Sequence, residues 1–208
     1  MEKIDFRKEL KHLYMPSAKE FSIVEVPLMR YLMVDGKGNP NSSPEYQAAL
    51  GTLYPVSYTL KFTSKKEIGR DYVVPPLEGL WWADDMSAFE EGRKDNWKWT
   101  MMIMVPDWIN KAMIKDAIDT VRKKKGNLKL KELRLESLRE GRCVQIMHIG
   151  SYDDEAPVLA RLHHEYLPQH GLEFNGKHHE IYIGDPRKTT PNKLKTVLRQ
   201  PVKERSTR

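Results

Sequence analysis

Apolar and polar positions alternate most clearly near the C-terminal end of the chain. In His178-His179-Glu180-Ile181-Tyr182-Ile183 a period of two puts His178, Glu180 and Tyr182 on one face of a strand. His179, Ile181 and Ile183 take the other face, and Gly184-Asp185-Pro186 turns the chain away. The isoleucine face belongs against a core. The opposite face sets a carboxylate beside a phenol in mid-strand, a costly place for a charge unless it reaches water or is used. The same arrangement occurs earlier, at 76–84. With Glu78 set on Glu180, an offset of 180 − 78 = 102, Trp82 falls on Tyr182 and Leu80 lies between Glu78 and Trp82 on their face.

The rest of the chain reads as follows. A polar lead-in starts helical and ends near Tyr14. A strand over 21–26 is broken by Pro27, and a second, more apolar strand covers 29–35. The loop 36–41 is made of turn formers. Ser42 or Ser43 caps a helix with Pro44 at its first position and Tyr46, Ala49, Leu50, Leu53 and Tyr54 as its apolar stripe. Pro55 bends that helix or marks a seam before 57–62. A polar connector, the Glu78 strand and an acidic loop over 84–96 follow. The strand 97–105 ends at Pro106; Asp107 caps a helix through 125, with Gly126 behind it as a stop signal. The pattern then restarts. A strand over 133–137, a turn at Glu140-Gly141 and a strand over 142–149 lead into a loop. Asp153 or Asp154 caps the next helix, which His170-Gly171 ends. The Glu180 strand and a last strand over 195–202 complete the chain.

Residues 30–38 align with 142–150 at an offset of 142 − 30 = 112, and Phe21 falls on Leu133. Each half runs hairpin, glycine loop, capped helix, glutamate strand, closing strand. The expected fold is therefore α+β, with two pseudo-symmetric halves over 20–105 and 127–202 joined by the helix 107–125. Such a junction leaves a groove, where ligands bind, and both glutamate strands are expected to approach it.

Composition narrows the classes. A chain of 208 residues, 39% hydrophobic and 31% charged, suits an ordinary globular protein. No apolar run approaches the ~20 residues of a membrane span. The N-terminal residues are charged and lack the apolar core of a signal peptide. A single cysteine, Cys143, allows no internal disulfide, suits the cytoplasm and reads as a small buried apolar residue. Net charge is +6, but the surplus sits at the chain ends and at 122–125, a helix terminus, with no basic stripe interleaved with aromatics. Nucleic acid is therefore not an expected direct partner. The pairs His163-His164 and His178-His179 carry no metal-site spacing, and adjacent strand residues point to opposite faces. No Gly-x-Ser-x-Gly elbow and no phosphate-binding glycine loop is present. Neither a metal nor a cofactor is expected.

Taken together, three runs resemble the GyrI-like small-molecule-binding family: 140–155 (EGRCVQIMHIGSYDDE), 178–187 (HHEIYIGDPR) and 194–202 (LKTVLRQPV). The N-terminal half is similar to the family's pseudo-repeat from about Phe21, so the resemblance spans about 20–202. It implies one domain of two fused β-α-β-β units of the SHS2 type, with antiparallel sheets, helices on one face and a ligand cleft between the units. Some members of that family are ligand domains of multidrug-responsive transcription activators. Others stand alone and bind DNA gyrase or lipophilic drugs. A stand-alone subset hydrolyses cyclopropane-bearing DNA-alkylating compounds. The resemblance also implies a cleft-facing glutamate among aromatics, at Glu180 in this chain. Twenty residues ahead of Phe21 are too few for a helix-turn-helix domain, which favours the stand-alone type.

A site for flat, apolar, often cationic molecules needs rigid aromatic faces and some negative charge. Trp82, Tyr182, Trp108, His148 and Leu80 are the expected ligand-binding residues. Opening a cyclopropane conjugated to a carbonyl needs acid assistance at oxygen and a directed water. Glu180, Glu78 and Tyr152 are the expected catalytic residues, with Tyr182 and His148 in support. The apolar neighbours of Glu78 make it the better proton-transfer group, leaving Glu180 ionised as cation partner or water activator. The expected function is binding of flat hydrophobic or cationic compounds. The alternatives are a cyclopropane hydrolase and a protein-interaction module with a partner such as gyrase.

Overall fold

The computed structural model describes residues 2–84, 93–125 and 129–206. In chain order its first elements are β1 (Lys3–Ile4), α1 (Phe6–Glu9), α2 (Lys11–Tyr14), β2 (Ser22–Lys37), α3 (Pro44–Glu67) and β3 (Asp71–Tyr72). Next come β4 (Leu77–Trp82), β5 (Lys98–Met104), α4 (Lys111–Lys125) and β6 (Arg134–Ile149). The last are α5 (Ala156–Arg161), a π-helical turn (Leu162–Tyr166), α6 (Leu167–Gln169), β7 (Leu172–Phe174), β8 (His178–Tyr182) and β9 (Lys195–Glu204). The mixture is α and β with antiparallel ladders, as expected.

Two compact units are present: Met1–Glu9 with Met29–Leu138, and Leu10–Leu28 with Arg139–Arg208. They do not coincide with the sequence halves. The first takes the opening of β6, and the second takes the opening of β2. The two long strands are equal in length and related by the repeat offset, 134 − 22 = 112 and 149 − 37 = 112.

In the first unit β5 pairs antiparallel with β2, from Tyr31↔Met104 to Lys37↔Lys98, and with β4, from Leu77↔Ile103 to Trp82↔Lys98. Leu32, Val34, Met101, Met102 and Ile103 are fully buried in these strands. α3 adds Leu53, Val56 and Leu60, and α4 adds Ala117 and Val121. In the second unit β9 pairs antiparallel with β6, from Cys143↔Pro201 to Ile149↔Lys195, with β8, from His179↔Arg199 to Tyr182↔Thr196, and with β7. Its core packs Val144, Leu162, Leu167, Leu172 and Val202, with Phe21 and Tyr166 against them. Cys143 is buried, and burial pushes its thiol up to about 12, so it is a packing residue rather than a nucleophile.

The structure corrects several local expectations. Pro27 does not break its strand; β2 runs through it, and Pro27 and Leu28 are exposed where the strand passes from one unit to the other. A proline is tolerated in a strand where no ladder bond needs its N–H. Glu140-Gly141 is not a turn. Gly141 takes φ +66 inside β6, a conformation open to glycine, and the strand continues. Pro55 does not end its helix, since α3 is continuous over 24 residues. A mid-helix proline costs about 3 kcal/mol. Full burial of Leu53, Val56 and Leu60 contributes roughly 5–9 kcal/mol and outweighs it. Ser43 is the cap of α3, its hydroxyl accepting the Tyr46 N–H at 3.3 Å. α4 starts later than expected: Asn110, not Asp107, accepts the Met113 N–H at 2.9 Å, while Arg30 donates to the Asp107 and Ile109 carbonyls. Neither Asp153 nor Asp154 caps α5; Asp154 instead accepts the Ser151 hydroxyl at 2.7 Å. Gly126, read as the stop of α4, and most of the acidic loop lie outside the described residues.

Gly36, read as the start of a loop, lies within β2 opposite Trp99. A Cβ there would sit 2.0 Å from the Trp99 ring, which is fully buried and donates its indole N–H to the Gly38 carbonyl at 3.3 Å. Gly36→Ala is expected to destabilise the protein by about 1–3 kcal/mol, the usual cost of overpacking a filled core. A urea unfolding midpoint equal to that of the parent protein would show that Trp99 has room to move.

Candidate functional site

β8 presents its two faces as its alternation requires. His179 and Ile181 are fully buried, while His178, Glu180 and Tyr182 are half-buried on the other face. The Tyr182 hydroxyl donates to Glu180 Oε2 at 2.7 Å. His178 Nε2 lies 3.5 Å from Glu180 Oε1. The Glu180 side chain keeps 15% of its accessibility, so its carboxylate is partly withdrawn from water yet reachable. Tyr152, on the turn Tyr152–Asp154, meets the Tyr182 ring edge-on at 5.6 Å and is 39% exposed. One carboxylate, held by the phenol of a tyrosine whose ring packs on a second tyrosine, is thus gathered within the second unit.

His148 acts on this group through the loop. It is buried on β6, and its Nε2–H donates to the Ser151 carbonyl at 3.0 Å, next to Tyr152. Gly150, at φ +152, admits the close approach, since a Cβ there would lie 2.9 Å from His148 Nε2.

Behind Glu180 stands a network that the sequence reading missed. His179 Nδ1–H donates to both oxygens of Glu140 at 3.0 Å. Arg199, the ladder partner of His179, donates from Nη1 to Glu140 at 3.3 Å, from Nε to the Gln145 side-chain oxygen at 3.1 Å and from Nη2 to the Leu13 carbonyl at 2.7 Å. Gln145 passes its own amide N–H to the His12 carbonyl at 2.7 Å. Burial opposes charge on Glu140, but the charges and hydrogen bonds of His179 and Arg199 prevail and hold its carboxyl down at about 2. Nothing local announces this group. Its members are 39 and 59 residues apart, and the surrounding residues read as a turn.

Glu78, Leu80 and Trp82 lie on β4 in the first unit, Glu78 fully buried and Trp82 partly exposed. Trp81, the neighbour of Trp82 on β4, is buried and packs on Tyr46 and Trp97. Trp108 belongs to another cluster of the first unit. It packs on Phe6 and Tyr72, carries the Arg70 guanidinium 5.0 Å from its ring, and donates its indole N–H to Ser64 at 3.0 Å. Within the second unit, the sequence candidates that contact one another are Glu180, Tyr182 and Tyr152, with His148 supporting their loop. Among the described residues no group of three His, Cys, Asp or Glu side chains is placed to hold a metal ion, and no helix is long and apolar enough to cross a membrane.

The model of the GyrI-like small molecule binding domain matches residues 19–203, nearly the whole chain. The chain belongs to the GyrI-like family. This GyrI-like chain is 40% identical to an uncharacterized conserved protein from Listeria innocua, over 97% of this chain and 100% of that one, with a TM-score of 0.88. A structure described as a hydrolase from Listeria innocua is 39% identical over the same shares, with a TM-score of 0.84. The C-terminal domain of EcmrR shares the fold at 12% identity, a TM-score of 0.56 and coverage of 89% of this chain and 98% of that one. No curated protein matches the chain.

Glu140 generates a direct test. Its carboxyl drops from 4.5 to about 2 on folding, so its contribution is complete above about pH 4.5 and is lost as pH falls toward 2. Glu140→Gln leaves Arg199 buried without its counter-charge and is expected to cost about 3–5 kcal/mol at neutral pH. It should also flatten the fall in stability between pH 4.5 and 2. Denaturant unfolding at a series of pH values measures both, and an unchanged acid limb in the variant would remove Glu140 as its source.

Proposed function

We propose that this chain binds flat hydrophobic molecules, cations preferred, against Tyr152 and Tyr182, and that Glu180 directs a water onto bound electrophiles. The Tyr182 hydroxyl on Glu180 is the observation that carries the reading. It orients the carboxylate through Oε2, and the remaining lone pairs of the carboxylate can meet a ligand cation or a water. Ring faces attract cations by roughly 0.5–2 kcal/mol each, and a half-buried carboxylate adds a charge that the solvent screens only in part.

The hydrolase reading is supported by the Listeria innocua structure described as a hydrolase, which is 39% identical to this chain over 97% of it. The reaction proposed for it is addition of one water to a cyclopropane conjugated to a carbonyl. The water oxygen bonds the ring carbon, and Glu180 takes the water's proton. The ring C–C bond breaks, and its electron pair moves to the carbonyl oxygen, which is then protonated. Tyr152, the more exposed ring of the pair, is the group assigned to that second proton.

Rhodamine 6G and a neutral flat dye of similar size separate charge from shape. Glu180→Gln should weaken the cation about tenfold, equivalent to about 1.4 kcal/mol, and the neutral dye less than about threefold. Equal losses would remove the carboxylate's charge from the account. In a mass-spectrometric assay with a cyclopropane-bearing alkylator, the parent protein should add one water, and Glu180→Gln should be slower by at least about 100-fold. Binding without water addition would leave a binding protein. Affinity for neither dye would favour a protein-interaction module.

A further inference from the structure

The face of β8 that carries Glu180 also carries a histidine that the proposed chemistry leaves unused. Both ring nitrogens of His178 are buried, and neither has a hydrogen-bond partner. The Nε2 of His163, on the π-helical turn, is buried and unpartnered as well. Burial holds the His163 imidazole down at about 4, and charge on His178 and then His164 adds to the shift, so His163 lies near His178 and is neutral at ordinary pH. Phe174 meets the His163 ring edge-on at 4.9 Å and closes one side of it.

A buried polar group without a partner costs about 1–3 kcal/mol, which makes three such nitrogens a feature to be accounted for. A neutral imidazole offers one N–H and one acceptor. Glu180 Oε1, 3.5 Å from His178 Nε2, is just beyond hydrogen-bond reach, and a side-chain rotation of a few tenths of an ångström closes the gap. Oε2 is already taken by the Tyr182 hydroxyl. A π-helical turn, which aims side chains off the α-helical track and recurs at functional sites, delivers His163 to this place.

We propose that His178 is a positioning residue for Glu180, donating Nε2–H to Oε1 while Tyr182 holds Oε2, so that the carboxylate is clamped at both oxygens and faces a ligand in one orientation. Nδ1 is then the acceptor of the ring. The neutral His163 beside it adds no positive charge that would compete with a ligand cation for Glu180. The role of His178 in ligand binding rests on the function proposed above, whereas the clamp itself does not.

The test therefore has an arm without ligand. Imidazole 1H–15N correlation spectra of the parent protein report which nitrogen of His178 carries the proton. The expected result is the Nε2–H tautomer, with an Nε2–H signal that shifts in Glu180→Gln. An Nδ1–H tautomer, or a signal indifferent to Glu180→Gln, overturns the clamp. In the second arm, rhodamine 6G affinity is measured by fluorescence anisotropy for His178→Gln, which keeps a donor near Nε2, and for His178→Leu, which does not. Both variants are first checked for parent-like thermal unfolding. His178→Leu should bind about five- to tenfold more weakly and His178→Gln within about twofold of the parent. Equal losses in the two variants, or none in His178→Leu, overturn the role in binding. The expected tautomer in a protein that does not bind the dye would instead refute the proposed function and leave the clamp standing.

Discussion

Glu140 is a carboxylate with 3% of its side chain exposed, and the second unit is arranged so that it can keep its charge. An isolated buried carboxylate would take up a proton. This one is met by His179 from β8 and Arg199 from β9, and Arg199 is in turn held by Gln145 and by the Leu13 carbonyl that ends α2. Three strands and a helix end are tied through one charge. The network also sets the register of β8. His179 must face inward to reach Glu140, so its neighbours His178 and Glu180 face outward. A slip by one residue would bury Glu180 and strand Arg199, a double penalty that leaves one register favoured.

That constraint explains why the candidate site can be small and still be defined. Glu180 needs no partner deep in the core, because β8 is fixed from behind. In front, the Tyr182 hydroxyl holds Glu180, the Tyr152 ring packs on Tyr182, and His148 braces the loop that carries Tyr152 through the Ser151 carbonyl. The aromatic wealth of the first unit is used differently. Trp99 fills the space over Gly36, and Trp108 joins Phe6, Tyr72 and Ser64, so both are committed to packing.

What was legible in the sequence follows the range of the forces involved. Period-two alternation is local, and it placed His179 and Ile181 inside and Glu180 with Tyr182 outside. The offset of 112 was legible because β2 and β6 keep the same length. Proline signals failed twice, since burial beyond the reach of a local window offset the cost at Pro55, and exposure removed the need for a donor at Pro27. The Glu140–Arg199–His179 network was illegible because no segment contains more than one of its members. The π-helical turn that carries His163 was missed because no residue type marks an i→i+5 bond in a stretch that otherwise reads as helix.

The most direct measurement is a crystal structure of the protein with rhodamine 6G bound. The account predicts the dye's ring system against Tyr152 and Tyr182, its cationic edge toward Glu180, and the Tyr182 hydroxyl still donating to that carboxylate. Dye density elsewhere on the protein, with Glu180 unengaged, would contradict it.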